Sequence, residues 1–277
     1  VPSGNLVMAD TLFVGNRCLS TDPVHAAQLG KPVIQTSVQG GGACVGGDVT
    51  LNGGRFEDNY VEFDGGGLWV QSHLVMTDTE FIHNTSSWND GGGAKVGSGV
   101  TLNGGLFQDN LAGTQGGGLR SGGSLAMTRA RFLGNTAGGD GGGLAHYGAS
   151  SLVNSLFARN ASDGNGEAMY INSSGTLDIV HNTVVSPTVG TGSAIYVETG
   201  TVNITNTIVT SYTTGINNSG GTVNEDYNLF QSGTIVSCPG TINHGTFGST
   251  YGDPAFVDPD SDDYHLTAAS DALDNAT

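Results

Sequence analysis

A phenylalanine followed three residues later by an asparagine returns along this chain at a nearly fixed interval. Phe13 and Asn16, Phe56 and Asn59, Phe81 and Asn84, Phe107 and Asn110, Phe132 and Asn135, and Phe157 and Asn160 all obey it, with phenylalanine spacings of 43, 25, 26, 25 and 25 residues. The long first spacing is one period plus a stretch from Arg17 to Gln39 that holds Pro23 and Pro32 and reads as an insertion. Glycine runs keep the same period: Gly41-Gly42, Gly65-Gly66-Gly67, Gly91-Gly92-Gly93, Gly116-Gly117-Gly118 and Gly141-Gly142-Gly143 each precede a short alternating strand. A further strand repeats as Val49-Thr50-Leu51, Leu74-Val75-Met76, Val100-Thr101-Leu102 and Leu125-Ala126-Met127. A unit of this length, alternating with period two and carrying no helical period, specifies one coil of a solenoid. One coil cannot bury its apolar side alone, so coils must stack at about 4.8 Å and share a continuous core. The predicted fold is an all-β parallel solenoid of about nine coils. Residues 1–277 form a single domain, with 17–39 inserted between the first coils and 253–277 as a C-terminal capping or docking tail.

Stacking gives the repeated residues their work. Glycine is 47 of 277 residues, more than twice the usual share of about 7%, and a glycine at one corner implies glycine at that corner in every coil. There the backbone turns with positive φ or approaches the neighbouring coils closely. Phe56, Phe81, Phe107, Phe132 and Phe157 are expected to form an inward aromatic stack. Asn59, Asn84, Asn110, Asn135 and Asn160 should form a ladder whose amides bridge the turn backbones of successive coils.

The charge is lopsided: 25 acidic residues against 8 Lys and Arg give −17. Such a surface repels phosphate backbones, which excludes nucleic acid as a partner and leaves cations, neutral carbohydrate or further copies of the chain. No run of 18 apolar residues exists to form a membrane-spanning helix. The start at Val1 rather than Met points to a removed leader and an exported, extracellular or surface protein. Cys18, Cys44 and Cys238 make one disulfide and one remaining thiol the simplest arithmetic. Cys18 and Cys44 are the candidate pair, the insertion between them being able to fold one back towards the other.

The paired GG[AL] and FxxN motifs resemble those of the chlamydial polymorphic outer-membrane proteins and related bacterial β-helix surface proteins. The ending Asp253-Pro-Ala-Phe256-Val-Asp258, Asp263-Tyr-His265-Leu and Ser270-Asp-Ala-Leu-Asp274 is similar to the "DPxFVD…DYHL…SPAID" ending of bacterial β-helix proteins with a variable C-terminal anchor, with Asp271 in place of the usual proline. Together these resemblances imply a right-handed, single-stranded parallel β-helix from an exported surface protein. They imply no one activity, because this architecture hosts enzymes, adhesins and structural proteins alike.

Basic residues are scarce, and only Lys95 and Arg120 fall in register on neighbouring coils, with Trp69 one coil below. A Trp69–Lys95–Arg120 strip could hold a sugar ring or a carboxylate; the alternative is a solvated face whose cations offset nearby acids. Asp64 and Asp90 each precede a glycine run and are expected on adjacent coils, where two carboxylates repel unless a cation such as calcium lies between them. No GxSxG or Cys/His arrangement offers a nucleophile, so no catalytic residue is assigned. The expected function is a non-catalytic structural or adhesive surface element, self-assembling head to tail into filaments. The alternative is a polysaccharide lyase or glycoside hydrolase working on a lateral face, which would need a groove with two or more converging carboxylates and a base.

Overall fold

The computed structural model describes residues 4–19, 39–231, 234–237 and 239–273. Within them the repeat forms parallel stacked coils, essentially all β, of about eight turns. That is close to the nine counted from the repeat. The difference lies at the ends, where Leu6–Cys18 and Thr241–Tyr251 supply only partial coils.

One coil shows how the sequence builds the rest. Strands Ala94–Val96, Val100–Asn103, Leu106–Gln108 and Leu111–Ala112 follow one another around the coil. Each pairs in parallel with its equivalents one coil down and one coil up, so Val100 lies between Leu74 and Leu125 and Phe107 between Phe81 and Phe132. Alternation then sends Ala94, Val96, Val100, Leu102, Phe107 and Ala112 inward, all buried. The result is a continuous apolar core from Val45 to Phe230. In the aromatic column, Phe13, Phe56, Phe81, Phe107, Phe132 and Phe157 stack face to face with centroids 4.6 to 4.9 Å apart and planes within 5°.

The three glycines of each run do three different jobs. Gly91 sits at φ 68°, where a side chain is strained. A Cβ on Gly92 would lie 2.5 Å from the carbonyl oxygen of Gly117 in the next coil, so two backbones meet there without room for a methyl group. A Cβ on Gly93 would meet the Gly118 carbonyl oxygen of the next coil at 2.5 Å and the ring of Phe107 at 3.0 Å, so this third glycine makes space both for the neighbouring backbone and for the aromatic stack.

The asparagines form the expected ladder with a consistent polarity. The Asn84 backbone N–H and Nδ2 both donate to Oδ1 of Asn110, at 2.9 and 3.0 Å, and Nδ2 also donates to the carbonyl of Phe56 at 2.8 Å. Asn110 repeats this towards Asn135 and Phe81, and Asn135 towards Asn160 and Phe107. Asn59, Asn84, Asn110, Asn135 and Asn160 are all buried, so the ladder satisfies turn backbone that water cannot reach.

Beyond Asn160 the glycine corner fades and Met169–Val180 and Thr183–Thr205 run on as long strands. A second ladder takes over at a different corner: Ser155 N–H donates to Asn182 Oδ1 (2.8 Å), Asn182 N–H to Thr207 Oγ1 (3.3 Å) and Thr207 N–H to Asn228 Oδ1 (3.0 Å). At the C-terminal end the inward Glu225 is 2% exposed and is bonded to Ser249 and His244, which ends that one inward row on polar groups.

Phe256–Asp258 and Asp263–Leu266 form an antiparallel hairpin around a 3-10 turn at Pro259–Ser261. The hairpin lies back along the flank of the stack, with Phe256 and Tyr264 packed on Leu133, Ala158 and Val185. Residues 20–38 of the expected insertion and 274–277 of the tail lie outside the described residues; Arg17–Cys18 form a strand paired with Tyr60–Val61.

Candidate functional site

The strip read from the sequence is assembled in register, with Lys95 opposite Trp69 on one side and Arg120 on the other. Its cations turn sideways rather than outward. Lys95 Nζ lies 2.7 Å from Asp64 Oδ1 and 2.8 Å from Asp90 Oδ2, with its side chain only 18% exposed. The ammonium therefore occupies the position between the two carboxylates that a bound cation would take. Among the described residues no three His, Cys, Asp or Glu side chains converge as metal ligands. Arg120 Nε is 3.7 Å from Asp90 Oδ2, and its guanidinium lies 4.5 Å over the ring of Tyr147. Burial alone would raise the Asp90 carboxyl, but hydrogen bonds from Lys95 and Thr114 prevail and hold it below the usual carboxylate range.

The row preceding the glycine runs continues this pairing. Gln115 Nε2 donates to Asp140 Oδ2 at 3.1 Å, and Asn165 donates to Asp140 Oδ1 through its backbone N–H (2.9 Å) and Nδ2 (3.1 Å). Further along the strip Tyr170 and Tyr196 stand 5.9 Å apart with planes 8° from parallel. Rings stacked along the axis turn their faces to each other, which leaves only edges for a sugar. Each charged group of this face thus has a fixed neighbour, as in a solvated face whose cations offset its acids.

Cys18 and Cys44 are unbridged thiols. Burial pushes both up, helped by Glu62 at Cys18 and, at Cys44, by Cys18 itself, so neither has the character of a reactive thiolate. Cys238 lies outside the described residues.

A surface depression lies elsewhere, between the tail and the flank it docks on. Arg131, Leu156 and Thr183 form its floor, Asn154 and His181 one wall, and Asp262, Asp263, Tyr264 and His265 the other, around about 720 Å³. It adjoins a second depression of about 370 Å³ lined by Asp78, Glu80, Leu106, Arg129 and again Arg131. The corner residues Asp78, Arg129, Asn154 and His181 all take positive φ, which holds their side chains at the rim. Arg159 anchors the outer wall: its Nη2 is 2.8 Å from Asp262 Oδ2 and its Nη1 bonds Asp262 Oδ1. The Arg159 hydrogen bond holds Asp262 below the ordinary carboxylate range, and His265 does the same for Asp263.

Nothing in the repeat pointed to this trough, but one signal was there. Phe132-Leu133, Phe157-Ala158 and Val184-Val185 put an apolar residue at the outward position after the inward one, which marks a covered flank. No protein-family model matches the chain, and no curated protein sequence matches it. The resemblance to bacterial β-helix surface proteins therefore rests on the motifs and on the β-solenoid they build.

Proposed function

We propose that this chain is a non-catalytic structural or adhesive β-solenoid, exported and displayed outside the cell, whose copies join head to tail. The register of the strand columns carries this reading. At one end Leu6–Ala9 and Leu12–Val14 pair, among the described residues, only upward, with Val49–Asn52 and Arg55–Glu57. At the other, Thr241–His244 and Thr250–Tyr251 pair only downward among the described residues. Unpaired strand edges are templates for further strands, and a second copy can supply them. The locked charges of the Trp69–Lys95–Arg120 face fit a protein that is passive along that face.

The lyase or hydrolase reading has one observation in its favour, the trough where Asp262, Asp263, His181, His265 and Arg131 come together. Glycoside hydrolysis needs one carboxyl held protonated as general acid. Asp262 and Asp263 are both shifted the other way, so neither has the character of that acid. Electron microscopy with sedimentation of the purified protein, with and without calcium, tests the proposal. Filaments or concentration-dependent polymers are expected, and a monomer at every concentration would remove the assembly.

A further inference from the structure

We infer that the trough between the C-terminal hairpin and the flank of the stack is a binding site for a linear, uncharged polysaccharide. The inference deepens the adhesive reading above by giving it a site and a ligand class.

Shape comes first. The two depressions share Arg131 and run across the outward positions Glu80, Leu106, Arg131, Leu156 and Thr183, one per coil. Four inter-strand spacings make this roughly 19 Å, the footprint of an extended chain rather than of a compact metabolite. The larger depression falls within the volume range of small-ligand sites, about 300–1,000 Å³.

The lining has the two-sided chemistry of a sugar ring. Leu106 and Leu156 are half-buried on the floor and offer apolar surface to C–H faces. Around them Asp78, Glu80, Asp262 and Asp263 accept hydrogen bonds, Arg129 and Arg131 donate, and Asn154, Thr183 and His181 do either. Hydroxyl groups both donate to carboxylates and accept from guanidinium groups, so a polyol chain can use both kinds of partner.

Charge selects among sugars. Glu80 is paired with Arg55 and Asp262 with Arg159, so the lining is close to neutral, while the whole chain carries −17. A polyuronate would be repelled as it approaches, whereas a neutral glycan meets no such penalty. The wall is also preformed. Asp262 is tied to Arg159, and Phe256 meets Tyr264 edge to face at 5.3 Å above the apolar patch, so little ordering is left to oppose binding.

The test is affinity electrophoresis of the full chain through gels containing laminarin, galactomannan, dextran or, as the anionic comparison, polygalacturonate. Retardation by at least one neutral polymer is expected, and none by polygalacturonate. Arg131→Ala and His181→Asn, the latter chosen because asparagine tolerates the positive φ at that corner, should each weaken retention about tenfold, the loss expected from one hydrogen bond to a charged or polar partner. Thr101→Ala, exposed on a different strand column, should leave it unchanged. The site is overturned if no neutral polymer retards the protein, if polygalacturonate binds more tightly, or if both trough variants bind as the parent does. Sedimentation of the same samples keeps the two ideas apart: polymers that bind no glycan remove the site alone, and glycan-binding monomers remove the assembly alone.

Discussion

Phe107 is fully buried with a parallel ring on each face. Truncating it leaves a void that rigid strands on both sides cannot collapse into, so Phe107→Ala should cost about 3–5 kcal/mol in a denaturant titration. Asn110→Leu leaves no void but breaks the ladder. The Asn84 N–H and Nδ2, the Phe81 carbonyl and Asn135 Oδ1 all lose a partner inside the protein. Asn84 Nδ2 keeps the Phe56 carbonyl and Asn135 Oδ1 keeps the Asn110 N–H, so the loss should be about 1–3 kcal/mol. His146 gives the pH dependence. It is fully buried, and burial lowers it from 6.5 to about 4 against a weaker opposing bond to the Gly148 carbonyl. The unfolded chain takes up a proton below about 6.5 that the folded chain refuses until about 4. Stability is therefore complete above that window and falls by about 3 kcal/mol as pH drops through it. His146→Leu should flatten that part of a plot of melting temperature against pH, and an unchanged slope would assign the acid sensitivity elsewhere. The phenylalanine and asparagine positions were legible in the sequence because their period is rigid. His146 was not, because it stands in an inward row with Val70, Val96, Ser121 and Ile171, where the repeat offers no histidine pattern.

At the scale of elements, the strands and the glycine corner could be read directly, since stacking forces the same solution on every coil. The other corners were hidden by their tolerance. Asp78, Gly104, Arg129, Asn154, His181 and Asn206 follow one another at one corner, all with positive φ, so one conformation is shared without one residue type. Neighbours there still constrain each other: a Cβ on Gly104 would lie 1.9 Å from Asp78 Oδ1. Alternating acid and glycine at this corner keeps stacked carboxylates from colliding. The tail was legible as a separate element but its seat was not, because docking on a flank depends on outward residues that the repeat leaves free to vary. Its hold can be tested through Arg159 and Asp262. Their side chains are about a third exposed, so Arg159→Ala should change global stability by less than about 1 kcal/mol. Locally the effect should be larger, with faster amide exchange and new protease cutting around 259–262. Because the Asp262 carboxyl is lowered, the contact is complete above its ordinary value near 3.8 and is lost as pH falls through the lower one. Acid should therefore release the hairpin before the coils unfold, and exchange that stays slow in the tail down to the global transition would contradict this.

For the whole molecule, the two ends of each column decide whether copies can join. Following the pairings upward, Leu6 and Ile242 are the first and last members of one inward row, and Phe13 and Tyr251 those of another. A copy set on top in the same register would place Leu6 over Ile242 and Phe13 over Tyr251, extending the core and the aromatic stack by one spacing. Tyr251 is 67% exposed, so a charge can be introduced there without disturbing the monomer. Tyr251→Lys should leave the melting temperature close to that of the parent and abolish the larger species in sedimentation. Salt provides the independent check. Two bodies of −17 repel as they approach, and a join made through backbone pairing and apolar rows gains nothing from ionic attraction. Raising the salt from about 0.01 to 0.15 M shortens the screening length from about 30 to 8 Å, which should strengthen association. A join made instead through ion pairs between unlike patches would weaken over the same range. Polymers that dissolve as salt rises, or that persist in Tyr251→Lys, would place the contact on the sides of the solenoid and leave its ends to further coils of a longer chain.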